Sequence, residues 1–92
     1  MANSAMTGME IQAIRSLART MDDRANEIER LLGTATNQIH DIHWRGADRE
    51  RFVREWEHTH GRKLRAVAAG LRNAAAEARR KATEQERVSR AY

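Results

Sequence analysis

An all-α fold is predicted by three features of this sequence. An apolar heptad stripe runs through its first half, proline and cysteine are absent, and alanine, arginine and glutamate dominate. The expected architecture is an antiparallel helix-turn-helix hairpin that pairs with a second hairpin into a dimeric four-helix bundle. Ninety-two residues make one small domain, taken as residues 1–92. Zero cysteine excludes a disulfide scaffold, a cysteine zinc ribbon and a thiol nucleophile. No apolar run approaches the ~18 residues of a membrane span. Met1 to Gly8 hold neither a basic n-region nor an apolar h-region, so no ordinary cleaved signal peptide is expected.

The first helix is expected over about 8–43. Thr7 and Glu10 fit a capping box, with Met6 and Ile11 at the flanking staple positions. Ile11, Ala18, Ala25, Leu32 and Ile39 then recur every seven residues, and Ile14, Met21, Ile28, Ala35 and Ile42 recur every seven with an offset of three. This is the stripe of a coiled or bundled helix. Leu17 and Leu31 widen it on one side, which implies more than one neighbour. Gly33-Thr34-Ala35-Thr36-Asn37 is poor in helix formers, but the apolar phase continues across it. One helix with a weak turn near Gly33 is the expectation.

The phase breaks at the turn 44–46. Gly46 can adopt backbone shapes closed to other residues. Asp48 and Glu50 suit the first turn of a new helix, where the dipole favours acids. The second helix is expected over about 47–88, with Phe52, Val53, Trp56, His60, Leu64, Val67, Leu71, Ala74, Ala78 and Ala82 along its apolar side and fraying beyond Ala82. So short a connection forces the two helices antiparallel.

A pair of helices has no inside, and chains of this size are marginal even when globular. The expected core and dimer interface comprises Ile14, Leu17, Met21, Ile28, Leu31, Leu32, Ile39, Ile42, Phe52, Trp56, Leu64, Val67 and Leu71. Leu17, Leu31, Phe52 and Trp56 would stay partly wet in a lone hairpin. Whether the second hairpin is the same chain is left open by the sequence.

No catalytic constellation is found. The hydroxyl side chains lie outside any nucleophile-elbow context, and there is no glycine-rich phosphate loop. No catalytic, cofactor-binding or metal-binding residue is therefore assigned. His40 and His43 have a spacing that can share a metal, and His58 and His60 could complete a site. A hairpin turning at residue 45, with paired positions summing to about 90, sets the two histidine pairs ~20 Å apart along the axis. Charge is asymmetric. Residues 1–46 hold five arginines against six acids, a net of −1, and residues 47–92 hold twelve Lys/Arg against seven acids, a net of +5. A basic hairpin that binds nucleic acid is thus the alternative function. The basic residues alternate with acids and form no run beyond Arg79–Lys81, so no nucleic-acid partner is expected. The mixed polar faces give no basic belt for a membrane surface, and membrane contact is left open.

The sharpest motif is Trp44-Arg45-Gly46, a Trp-x-Gly at the midpoint of the chain between two long amphipathic helices. Phe52 and Trp56 follow eight and twelve residues after Trp44. With the Gly46-Ala47-Asp48 helix start and the alanine-rich stretch Asn73 to Ser89, the chain resembles the WXG family. These are the ESAT-like small proteins exported by bacterial type VII (Esx) secretion systems. The resemblance covers about Thr7 to Tyr92. It implies a non-enzymatic protein that pairs, as heterodimer with a paralogous WXG protein or as homodimer, into a four-helix bundle. It further implies export in the folded state without a cleaved signal peptide, from the cytoplasm, under a membrane-bound FtsK/SpoIIIE-type ATPase. Trp44 and Gly46 carry over to the family's turn motif. A C-terminal Tyr-x-x-x-Asp/Glu is often part of the family's export signal. Here the only tyrosine is Tyr92, the last residue, so either a partner supplies that signal or the sequence is truncated.

Overall fold

The computed structural model describes residues 6–91 and is all-helical over them, with no strand among the described residues. Helix α1 spans Gly8–Asp41. Its start is fixed by a capping box: the Glu10 backbone N–H donates to the Thr7 hydroxyl at 3.1 Å, and the Thr7 N–H donates to the Glu10 carboxylate at 2.8 Å. α1 is continuous through Gly33–Asn37, where the Thr36 hydroxyl donates back to the Leu32 carbonyl at 2.7 Å. It ends two residues before the boundary read from the sequence, because Ile42 turns extended at φ −70 and ψ 135.

The second arm is not one uniform helix. Helix α2 spans Ala47–Glu55, a π-helical turn follows over Trp56–Gly61, and helix α3 spans Arg62–Ala91. Gly61 closes the wide turn in tight quarters: a Cβ there would stand 3.1 Å from the Trp56 carbonyl oxygen, so a larger residue would require the backbone to shift by a few tenths of an ångström. A π turn inserts one residue and shifts every side chain beyond it relative to those before. The arm also remains helical past Ala82 to Ala91, where the sequence suggested fraying.

α1 and α3 pack along their length. The buried row on α1 is Ile11, Ala18, Ala25 and Leu32. The buried row on the second arm is Gly61, Ala68, Ala75 and Ala82, again every seven residues. Run antiparallel, the rows meet from Ile11 beside Ala82 to Leu32 beside Gly61. Alanine fills the middle of this seam, where the two helices press directly together, and the large residues Ile11 and Leu32 are buried at its two ends, opposite Ala82 and Gly61. Leu64, Val67 and Leu71, expected in the core or the dimer interface, lie outside this seam: Leu64 and Val67 are exposed and Leu71 is half-buried. α2 buries none of its residues and hardly touches α1.

The outcome is a rod of 68 × 20 × 14 Å with a radius of gyration of 20.3 Å. A compact chain of this length has a radius of about 12 Å. One layer of two helices accounts for the difference, and no large side chain is fully buried.

Candidate functional site

Three surfaces follow from this seam. The first is the tip. The Trp44 backbone N–H donates to the Ile42 carbonyl at 2.8 Å, which tightens the chain around His43. Gly46 caps α2 with φ 108 and ψ −177, a conformation essentially confined to glycine. Trp44 and Phe52 then meet with ring centroids 5.3 Å apart and planes tilted by 51°. Both rings stay over a third exposed, and Ile42 beside them is 57% exposed. Trp44 and Gly46 therefore do separate work: the glycine sets the backbone, and the tryptophan makes an aromatic knob on Phe52. Arg45 is exposed between them.

The second surface is an apolar face along one side of the shaft. Ile14, Met21, Ile28 and Ala35 are half-buried, and Leu17 and Leu31 lie farther out on the same side at 49% and 69% exposure. Across the seam, α3 contributes half-buried Leu71 and Ala78 with exposed Leu64 and Val67. Ile39 is half-buried and Leu32 belongs to the seam itself.

The third surface lies on the opposite side and was not foreseen from the sequence. Arg15 pairs with Glu86 at 3.2 Å, Arg79 with Asp22 at 2.6 Å, and Arg72 with Glu29 at 2.5 Å. The rungs recur every seven residues on both helices, one position-set round from the buried rows. Arg72 also donates to Asn26 at 2.9 Å. The Arg72 hydrogen bond holds the Glu29 carboxyl below its ordinary range, and the Arg15 hydrogen bond does the same for Glu86. Trp56 joins this side rather than the apolar face. Its indole N–H donates to the Thr36 hydroxyl at 2.9 Å.

The histidines also need correction. His40 lies 3.3 Å from Glu57, so the two histidine pairs sit closer together than a turn at residue 45 implies. The joint is longer than expected, and the π turn shifts the register. No three His, Asp, Glu or Cys side chains converge on a metal-sized site among the described residues. No helix among them is long and apolar enough to cross a membrane. No family profile, curated protein or solved structure matches the chain.

Proposed function

We propose that the chain is a non-enzymatic partner protein of the WXG type, exported by a type VII secretion system as a folded bundle of two hairpins. The observation that carries this reading is the exposed apolar face on a rod whose buried residues are confined to the seam between its helices. Leu17, Leu31, Leu64 and Val67 lie exposed along one side of the shaft, and exposed apolar residues grouped on one face mark an association surface. A second hairpin of similar face, from the same chain or a paralogue, covers it and completes four helices. The Trp44-Arg45-Gly46 tip supports the second half of the reading: a partly exposed aromatic at a turn suits docking to another protein, here the secretion ATPase.

Sedimentation at micromolar concentration tests the pairing. A pair is expected for the wild type, alone or with a second small Trp-x-Gly protein. Leu31→Asp should remain helical but lose the pair, because the new carboxylate would be buried without a partner. A wild-type monomer that melts cooperatively in both settings would overturn the reading. Export is tested in a type VII host, where Trp44→Ala should lower secretion while helix content is kept. A nucleic-acid partner would show as affinity that falls steeply with salt, and none is expected.

A further inference from the structure

The ladder of ion pairs stops one rung short of the π turn. Its spacing continues from Arg15, Asp22 and Glu29 to Thr36 on α1, and from Glu86, Arg79 and Arg72 to Arg65 on α3. At this fourth rung the acid is missing. Arg65 has no acidic partner among the described residues, and neither does Arg62 one turn earlier. The Arg65 guanidinium lies beside bare Gly61 backbone, 3.4 Å from where a Cβ would be. The same spot is a cleft of about 480 Å³ lined by Leu32, Thr36, Trp56, Glu57, Arg62 and Arg65. A second hollow of about 300 Å³ shares Leu32, Thr36 and Arg65 and extends it along the seam past Gly33.

The geometry points to a docking groove for an acidic polypeptide segment of a partner, whose carboxylate takes the place of the missing rung against Arg65 and Arg62. Charge complementarity carries this assignment. Three Arg–carboxylate pairs at the equivalent positions already show that the helix spacing accepts such a rung, and a guanidinium can pair a carboxylate with two of its donors. The cleft's own acids are committed elsewhere, Glu57 to His40 and Glu29 to Arg72. Glu57 lines the cleft and Glu29 the second hollow, and their charge opposes a doubly charged anion such as phosphate more than a single carboxylate. Trp56 is half-buried with its N–H spent on Thr36, so its ring offers an apolar wall for the residue next to the acid. The groove lies on the charged side of the shaft, opposite the apolar face. Its occupancy is therefore independent of hairpin pairing.

The test is a titration of the full chain followed by the Trp56 indole ¹H–¹⁵N resonance, which Trp44→Phe distinguishes from that of Trp44. The probes are a blocked hexapeptide containing two glutamates and a leucine, its glutamine counterpart, and inorganic phosphate. The glutamate peptide should shift the resonance saturably and bind at least tenfold more tightly than the glutamine peptide. Arg65→Gln should weaken it at least tenfold while sedimentation shows pairing unchanged. Arg62→Gln should weaken it as well, while Arg80→Gln, which removes an exposed cation farther along α3, should leave it unchanged. An equal response to the glutamine peptide, a stronger response to phosphate, or undiminished binding by Arg65→Gln would overturn the groove assignment.

Discussion

Between Ile11 and Leu32 the hairpin closes on a repeating buried row, alanines with a large residue at either end, whereas between Ile42 and Glu55 it buries none at all. The shaft is held by direct helix contact plus a flank of ion pairs. The tip is held by one glycine conformation and one aromatic pair. The difference shows how a chain with almost no core can still fix its shape. Where the helices touch, position is set by how small the side chains are; where they part, it is set by what the backbone alone permits.

The largest effect should come from enlarging the seam. Ala75 is fully buried between α1 and α3. Ala75→Leu should force the helices apart and cost about 1–3 kcal/mol, read as a lower midpoint in thermal unfolding. Ala76→Leu, one residue on and exposed, is the matched control and should change little. Equal losses at both positions would mean that the seam is not where the helices meet.

At the tip, Gly46→Ala places a Cβ on a backbone at φ 108. The strain of such a conformation is about 1–3 kcal/mol, but it falls on a joint that few contacts depend on. The loss should stay near the lower end of that range, with hydrogen exchange faster in α2 than in α1. Uniform loosening of both helices would erase the distinction between shaft and tip.

Trp44→Ala should cost less again, about 1 kcal/mol, since it removes a half-exposed ring and its contact with Phe52. Near-ultraviolet circular dichroism should change while the far-ultraviolet helix signal remains. Loss of the helix signal would mean that the aromatic pair holds up the shaft as well.

The smallest effect is the pH dependence of the shaft. The carboxyls of Glu29 and Glu86 titrate lower in the folded chain than in the unfolded one, each through its arginine hydrogen bond. A depressed folded value means that the stabilisation is complete above the ordinary glutamate range and is lost as pH falls through the folded value. The melting temperature should therefore drop as pH is lowered from about 6 to 3, and Glu29→Gln with Glu86→Gln should flatten that slope. Both carboxylates are well solvated, so the change should be modest and should shrink with added salt.

Much of α1 was legible because its signals are chemically loud. A Thr7/Glu10 cap and large apolar residues every seven positions are hard to mistake. The seam of α3 was quieter. Ranking side chains by hydrophobicity favours Leu64 and Val67 over Ala68 and Ala75, yet direct contact of two helices selects the smaller ones. The π turn has no compositional mark beyond Gly61, and without it the register across the hairpin cannot be counted. The ion-pair side was written in the sequence as charges four residues beyond each buried alanine, but those charges read as a solvated face until the alanines are known to point inward. Trp44 and Gly46 were visible as a motif. Only the backbone angle at Gly46 and the ring contact to Phe52 separate their roles.

The order of signs along the ladder has a further consequence. The alanines in the middle of the seam repeat every seven residues, so that stretch does not by itself say which heptad of one helix faces which of the other. The charges do. Arg15 faces Glu86, but the two rungs after it are reversed, with Asp22 and Glu29 on α1 facing Arg79 and Arg72. Sliding one way brings Arg15 against Arg79. Sliding the other way brings Asp22 against Glu86. Each native pair adds little to stability at an exposed site, but every misaligned zipper carries a like-charge clash. The single inversion at the Arg15 rung works as a key that admits one alignment of an otherwise repetitive lock.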